Sequence, residues 1–570
     1  MGRDLVLAVT AAVLLVGCNV GQSDVETSTT SEDLLQQLPL PEVASGDITA
    51  PGDHWADRFV AGDATVQDGT SPGDLHNTDA LAESVSGPDS QLDLLEDIFD
   101  EEQLSDGGYL DGGKEETYTD TLLIYDAVQE DLPSDILEPY GTYHPQAPCG
   151  MSDYQWMPPE DMGQLVEYSE KLLYHLPPEF LVQMVHEAGY PLELPFIYGT
   201  RVYEVRYTTQ DRGQLVEATA MVGIPELTES DTEFGEFPTA LFLHGTTGFA
   251  DKCAPSTGLE GAAAALLPAA MGFIGVAPDY IGMCGFGTPC PQQFHPYLIG
   301  EATAIASLDA VRAAHRLMAD NLDSLGAVPD SRLVPWGGSQ GGHAALFVDR
   351  LAPHYAPEFD VPCVVALVPP ADLALQASVA LQQLGSAASL GTGFLAAAYL
   401  WYDPPTPSSA LFNPDGPKDY SEYVLETFVK TCSSNALVKG SASLWDVYTE
   451  SFLQNTIDNG LEAVQPWGCF ALENSLTTTS VPYVSDAKVY YVIAENDNIV
   501  NNDVARQTFL DMCDLGYEME FVECNELGHT DAAVQSILMQ VDWAQKCLAG
   551  AVGPADGLCE LKEPVTCVAF

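Results

Sequence analysis

Ser339 lies between glycines in residues 337–341, whose sequence GGSQG matches the GxSxG pattern. The short apolar run 333–336 precedes this segment, and residues 343–348 have the composition of a helix start. A serine on a tight turn between a strand and a helix presents its hydroxyl at the helix N-terminus, where it can act as a nucleophile. Because five-residue matches also arise by chance, a base, an acid and two oxyanion donors must accompany it.

The base and the acid are predicted downstream of Ser339. A serine hydroxyl becomes nucleophilic when a histidine removes its proton and a carboxylate holds that histidine in the correct tautomer. His529 is the only histidine after His354, and it follows the last predicted strand in a glycine-containing turn. Asp497 directly follows a buried apolar run and precedes an apolar pair at residues 499–500. The sequence therefore predicts a catalytic triad of Ser339, Asp497 and His529.

Four other acidic residues lie near the predicted acid or the predicted base. Glu495 and Asp503 flank Asp497 and are its closest competitors for the role of the acid. Glu526 and Asp531 flank His529, and we predict that both lie on the solvated surface.

An oxyanion hole needs two backbone amides aimed at the developing negative oxygen. The amide of Gln340, immediately after the nucleophile, is the first predicted donor. The second is the amide of Thr246, because residues 244–248 follow the first long apolar run and contain a His-Gly pair that turns the chain sharply. His244 and His343 are predicted to be structural.

Short apolar runs alternate with helical stretches between residues 239 and 522, and a polar turn at 210–213 separates two alternating segments before them. Runs of this kind are typical of a mostly parallel sheet with helices on both faces, preceded here by an antiparallel hairpin. Between residues 370 and 480 the runs give way to helical segments with several aromatics. This insertion is predicted to form a largely helical cap above the strand ends, where ligands bind. Its aromatics either line an acyl pocket or form the core of the cap: Phe394, Tyr399, Trp401 and Tyr402.

The order of these elements is that of an α/β-hydrolase, and several segments resemble the secretory lipase family of that fold. They are His244-Gly245 and residues 276–282, 308–314, 338–343 and 368–373. The resemblance extends from about residue 201 to about residue 550. It implies hydrolysis of carboxylic esters, often of lipids, by the triad predicted above.

The N-terminal part of the chain is predicted to be a targeting segment and a spacer. Residues 1–18 combine Arg3, an apolar run too short to span a bilayer and a final cysteine. This segment resembles the signal peptide of bacterial lipoproteins, which implies lipidation of Cys18 and, with Asn19 next, anchoring to the outer membrane; an ordinary secretory signal is the alternative. Residues 19–139 are acidic and poor in apolar residues, so a disordered spacer is predicted. Residues 140–570 would form the catalytic domain.

Charge and cysteine content limit the partners of the chain. With 84 acidic and 19 basic residues, the formal net charge is −65, which argues against nucleic acid and anionic lipid as partners. Apart from Cys18, the chain has an even number of cysteines, all after residue 139, and export favours disulfides among them. No cysteine or histidine spacing of a zinc site occurs, so neither a metal nor a cofactor is predicted.

The sequence thus predicts a serine hydrolase that acts on an ester or lipid substrate and is held to a membrane only by its lipid anchor. A serine peptidase of the same fold is one alternative, although no repeat or acidic amine-binding motif supports it. A non-catalytic surface binding protein is another alternative, but the presence of all three triad residues argues against it. The acyl chain, the alcohol and the oligomeric state are left open by the sequence.

Overall fold

The computed structural model describes residues 148–187, 195–227, 235–287, 294–553 and 557–567. The predicted signal peptide with Cys18 and the predicted spacer 19–139 lie outside these residues. No helix within the described ranges is both long enough and apolar enough to span a bilayer.

Within these described ranges, nine strands form one sheet in the order β1-β2-β3-β5-β4-β6-β7-β8-β9. The first four strands of this order pair antiparallel, and from β5 to β9 all neighbours pair parallel. The predicted mostly parallel sheet with an antiparallel start is therefore confirmed, whereas the edge strand β1 was not predicted. The strands are β1 Leu165–Glu170, β2 Gly199–Asp211, β3 Gln214–Glu226, β4 Gly235–Leu243, β5 Ile274–Pro278, β6 Ala327–Gly338, β7 Cys363–Leu367, β8 Lys488–Ala494 and β9 Glu518–Cys524.

Helices cover both faces of the sheet, as the continuous apolar runs predict. Along β8, Val489 and Tyr491 pack into a cluster on one face, and Tyr490 and Val492 pack into a cluster on the other. The helices are α1 Pro178–Glu187, α2 Leu259–Ala270, α3 Gly300–Asp320, α4 Leu322–Leu325, α5 Gln340–Tyr355, α6 Leu373–Ala380, α7 Ser386–Tyr402, α8 Tyr420–Phe428, α9 Leu444–Val447, α10 Glu450–Asn459, α11 Trp467–Glu473, α12 Asn502–Asp514, α13 His529–Gln535 and α14 Ile537–Leu548.

Helices α6 to α11 form the cap, which connects β7 to β8. Phe394, Trp401 and Tyr402 are buried in an apolar cluster that consists mainly of cap residues and also includes Phe249 and Tyr297. The indole of Trp401 donates to Asp211 Oδ1 at 2.8 Å, so the cap also rests on the turn between β2 and β3. Of the two roles considered for these aromatics, the structure places these three in the core of the cap.

Disulfides crosslink the described residues, which confirms that the cysteines form disulfides. Five bonds are Cys149–Cys469, Cys253–Cys432, Cys363–Cys547, Cys513–Cys559 and Cys524–Cys567. Cys284 is also disulfide-bonded. Two of the bonds reach the cap, because Cys432 follows α8 and Cys469 lies in α11.

Candidate active site

Ser339 lies on a strained turn between β6 and α5. Its φ of 55° and ψ of −117° are unusual for a residue with a side chain, and such strain is concentrated at functional sites. The turn is held on both sides, since the Ser339 amide donates to Leu367 O at 2.8 Å and the His343 amide donates to Ser339 O at 3.0 Å. The backbone at Ser339 therefore has the strand-turn-helix form that the GxSxG pattern predicts.

The turn requires a close approach between α5 and the end of β4. A side chain at Gly341 would place its Cβ atom 2.6 Å from the carbonyl carbon of Leu243 and 2.9 Å from His244 O. No Cβ fits at those distances, so the glycine allows the helix to pass directly against the strand end. As a result the nucleophile turn and the loop after β4 are packed against each other.

Asp497 and His529 form a buried pair at the carboxyl ends of β8 and β9. His529 Nδ1 donates to Asp497 Oδ2 at 2.7 Å, and both side chains are almost completely shielded from solvent. The other carboxylate oxygen accepts the amides of Ile499 and Val500 at 2.8 and 2.9 Å. Because a carboxylate can only accept, Nδ1 of His529 carries a hydrogen, and Nε2 is the ring nitrogen that can take up a proton.

The competing acids lie in different surroundings. Glu495 accepts the amide of Glu526, and Asp503 is exposed and pairs with Arg506. Glu526 and Asp531 are exposed, as predicted.

The nucleophile turn packs against the helix that begins with His529. A Cβ atom at Gly338 would lie 3.7 Å from Cβ of Ala533, one turn into α13. Ser339, Asp497 and His529 thus follow three parallel strands, β6, β8 and β9, whose carboxyl ends share one edge of the sheet. The structure brings the acid into contact with the base and packs the turn of the serine against the helix of that base.

The two residues predicted to supply the oxyanion amides lie at the same edge of the sheet as the serine turn. Gln340 is the first residue of α5, and Thr246 lies in the loop after β4; both are buried. Their side chains have partners that the sequence did not single out. Nε2 of Gln340 is 2.8 Å from Nε2 of His295, and Oγ1 of Thr246 is 2.8 Å from the hydroxyl of Tyr297. These partners lie in the connection between β5 and α3, and no sequence motif marks them.

His244 and His343 contact carbonyl oxygens within the scaffold. His244 Nδ1 donates to Gly245 O at 2.6 Å, and His343 Nε2 donates to Asn474 O at 2.8 Å. Burial lowers the pKa of each ring to about 4, so both are neutral near pH 7. Each braces a segment next to the site: His244 the loop after β4, and His343 the contact between α5 and the cap.

Three further links fasten the cap to the elements around the site. Gln376 of α6 exchanges two hydrogen bonds with the backbone of Asn501, just beyond the Asp497 loop. Asn474, after α11, accepts the amide of Gly300 at 2.8 Å. In addition, the Cys253–Cys432 disulfide joins the loop after β4 to the cap. The chemical groups of the site are therefore enclosed between the strand ends and an anchored cap.

The residues at this edge comprise a serine on a strained turn and a histidine that is hydrogen-bonded to a buried carboxylate. In the part of the chain that the structure describes, no cluster of three histidine, cysteine or carboxylate side chains is placed to bind a metal ion.

Comparisons with known proteins agree with this fold. The "Secreted triacylglycerol lipase LIP4" of Malassezia globosa is 24% identical over 368 residues, which are 61% of this chain and 72% of that protein. The crystal structure of the rice cell wall degrading esterase LipA from Xanthomonas oryzae superposes with a TM-score of 0.52 at 18% identity, covering 68% of this chain and 97% of that one. Candida antarctica lipase A gives a TM-score of 0.51 at 18% identity, covering 71% and 86%.

A family model described as "Secretory lipase" matches residues 259–554, just over half of the chain. The matched segment includes Ser339, Asp497 and His529, whereas the loop with Thr246 lies before it. Fold and family model agree, and ester hydrolysis is the activity they support. The chain belongs to the secretory lipase family of α/β-hydrolases.

Proposed function

We propose that the chain hydrolyses carboxylic esters through Ser339, His529 and Asp497 and an acyl-enzyme intermediate. The buried hydrogen bond between Asp497 and His529 carries this proposal. A carboxylate on Nδ1 holds the imidazole in the tautomer whose Nε2 can accept the serine proton. The strained serine turn packed against the same helix supplies the nucleophile.

In the first half of the reaction, Oγ of Ser339 attacks the ester carbonyl carbon while Nε2 of His529 takes the hydroxyl proton. The positive charge that forms on the ring is stabilised by Asp497. The tetrahedral intermediate collapses, His529 returns the proton to the alkoxide, and the alcohol leaves. In the second half, His529 activates a water molecule, which releases the acid and restores the serine.

The negative oxygen of each tetrahedral intermediate needs donors that do not have to move. We propose that the backbone amides of Gln340 and Thr246 provide them. The close packing of α5 against the end of β4 supports this pairing, because it brings the two amide-bearing segments together. Each such donor contributes about 3 kcal/mol to transition-state stabilisation.

The substrate is proposed to be an ester with an apolar acyl group. The secretory lipase family match supports this proposal, and the Malassezia relative is described as a triacylglycerol lipase. Whether long or short chains are preferred distinguishes a lipase from an esterase.

The chain is further proposed to be exported and tethered to the outer membrane through lipid on Cys18. The sequence of residues 1–18 supports export, the relative from Malassezia is described as secreted, and the disulfides suit an oxidising compartment. Residues 19–139 would then be the acidic spacer between the lipid anchor and the catalytic domain.

The catalytic proposal is tested with chromogenic esters of increasing acyl length and a fluorophosphonate probe. We expect the wild type to be labelled and active, and Ser339→Ala to be neither. Ser307→Ala is the matched control, because Ser307 is a buried serine on α3 whose hydroxyl only bonds Thr303 O. Asp497→Asn should lower kcat by about 10⁴-fold with little change in melting temperature. Unlabelled, inactive wild type, or an active Ser339→Ala variant, would contradict the proposal.

The same ester series identifies the substrate class. Activity that peaks on short soluble esters would make the enzyme an esterase, and activation by an emulsified long-chain ester would make it a lipase. A panel of chromogenic peptides serves as the comparison; equal turnover of peptides would support a peptidase instead.

The anchor is tested in cells with the full chain and Cys18→Ser. Incorporation of a labelled fatty acid and recovery in the membrane fraction are expected for the wild type alone. If the wild type is unlabelled and is recovered in the soluble fraction, residues 1–18 are an ordinary secretory signal and the anchor proposal is wrong.

A further inference from the structure

Residues 295–297 contact both residues that are proposed as oxyanion donors. His295 reaches the side-chain amide of Gln340, and Tyr297 reaches the hydroxyl of Thr246, each at 2.8 Å. The donors belong to different elements, α5 and the loop after β4, and this short segment is linked to both. His295 is completely buried and Tyr297 almost completely so. Contacts of this kind in the interior restrict movement more than contacts at the surface do.

Hydrogen bonding fixes the protonation state of His295. Its Nδ1 is 3.0 Å from the carbonyl oxygen of Ile281, which can only accept, so Nδ1 carries a hydrogen. Burial lowers the pKa of His295 to about 3, so the ring is neutral at neutral pH and Nε2 is an acceptor. The side-chain amide of Gln340 therefore donates to His295, and this bond sets the direction of that side chain.

The segment is itself held from behind. The ring of Tyr280 lies nearly parallel to that of His295, with centroids 5.8 Å apart, and stacks on His244 at 4.1 Å. The Tyr280 hydroxyl donates to His244 O at 3.1 Å. Leu298, the next residue along the chain, has a φ of 57°, a conformation that persists only where the surroundings impose it. Residues 295–297 thus form a rigid support.

We propose that His295 and Tyr297 are positioning residues for the oxyanion hole, and that residues 295–297 form an oxyanion brace between its two donors. This inference rests on the proposed function. Donor amides stabilise the oxyanion only within about 0.2 Å of 2.9 Å from it. His295 fixes the first residue of α5 through the Gln340 side chain, and Tyr297 fixes the loop after β4 through Thr246. Loss of either bond should therefore weaken transition-state binding more than substrate binding.

The Tyr297 half of the brace is tested with Tyr297→Phe. We expect kcat on a short chromogenic ester to fall about tenfold with KM within about twofold, the signature of an interaction made in the transition state. Tyr448→Phe is the matched control: the Tyr448 hydroxyl contacts Thr392 Oγ1 at 2.7 Å in the core of the cap. It removes the same kind of buried hydroxyl pair and should leave kcat unchanged.

The His295 half is tested with His295→Phe, His295→Gln and Gln340→Met. His295→Phe keeps a ring but removes both hydrogen bonds, so kcat should fall about tenfold. His295→Gln can still donate to Ile281 O and accept from Gln340, and should recover most of the loss. Because His295 acts through the Gln340 side chain, the His295→Phe/Gln340→Met double variant should lose no more than either single variant.

Ser339→Ala and the wild type are measured beside these variants, so that two kinds of failure are distinguished. If the wild type is active and Ser339→Ala is not, the proposed function stands. The brace is then overturned if Tyr297→Phe changes kcat no more than Tyr448→Phe does, or if the losses appear only in KM and melting temperature. If His295→Phe does not fold, Tyr297→Phe decides alone. An active Ser339→Ala variant would overturn both proposals.

Discussion

Gly341→Ala should disable the nucleophile turn, although it adds only one methyl group. The added Cβ would lie 2.6 Å from the carbonyl carbon of Leu243, whereas an ordinary contact begins at 3.4 Å. The carbonyl oxygen of Leu243 would lie closer still, so the start of α5 must move away from the end of β4 by more than about 0.8 Å, or β4 must move by as much. The contacted atoms are backbone and the backbone also fixes the position of the Cβ, so no side-chain rotation can relieve the clash.

The displacement acts on the two groups that the reaction needs together. Moving α5 shifts Ser339 and the amide of Gln340 relative to the loop that carries Thr246. A misplacement of about 1 Å costs about 100-fold in rate, and overpacking of a core costs about 1 to 3 kcal/mol in stability. We therefore expect kcat/KM to fall by about 100-fold, with a lower melting temperature.

Gly338→Ala, three residues away, is the matched control. Its Cβ would meet Cβ of Ala533 at 3.7 Å and Cβ of Leu367 at 3.8 Å, both ordinary contacts. Activity within about threefold of wild type is expected, because nothing has to move. Ester turnover, the rate of fluorophosphonate labelling and thermal unfolding are measured for both variants.

Wild-type turnover and labelling in Gly341→Ala, or an equal loss of activity in the two alanine variants, would contradict the predicted clash between α5 and β4. Equal loss would mean that any side chain in this turn is harmful, irrespective of the distance between α5 and β4.

Two further predictions concern stability and crosslinking. Burial raises the pKa of Asp349 to about 7, so the folded state holds a proton that the unfolded chain releases near pH 4. The free energy of unfolding should therefore fall as the pH rises from about 4 to about 7. At pH 8 the Asp349→Asn variant should be more stable than the wild type by about 1 to 4 kcal/mol, and at pH 4 the two should be similar. Equal pH profiles of the two proteins in chemical denaturation would contradict this prediction. Replacing Cys253 and Cys432 by serine should lower both kcat and stability, because the loop after β4 loses its link to the cap. Replacing Cys513 and Cys559 by serine should cost about 2 to 5 kcal/mol of stability without changing kcat. Equal kcat values for the two double variants would contradict the expected role of the Cys253–Cys432 disulfide.

The sequence predicted the strands whose side chains are buried on both faces. Residues 239–243, 333–336 and 489–493 are continuous apolar runs, and all lie inside strands of the sheet. The edge strand β1 escaped prediction because it pairs on one side only and most of its residues are exposed or half-buried. Its sequence therefore lacks the apolar run by which the buried strands were found.

The turn at Ser339 and the contact between Asp497 and His529 were predictable, because a local pattern or a lack of competing residues limited the choice. Ser339, Asp497 and His529 each follow a predicted strand in the order that the fold requires, and no other histidine lies downstream of His354. The contacts of His295 and Tyr297 were not predictable, because they depend on how the connection between β5 and α3 folds back onto two other elements. The disulfide pairings escaped prediction for the same reason: Cys149 and Cys469 are 320 positions apart.

The Cys253–Cys432 disulfide joins the loop after β4 to the cap, so we expect its closure to raise the proposed activity. The two cysteines are 179 positions apart, and the chain between them contains Ser339 and the first half of the cap. Because disulfides form where thiols are oxidised, we expect this bond to be open in a reducing cytoplasm. If the chain is exported as proposed, a precursor that is still in the cytoplasm should be less active than the exported protein.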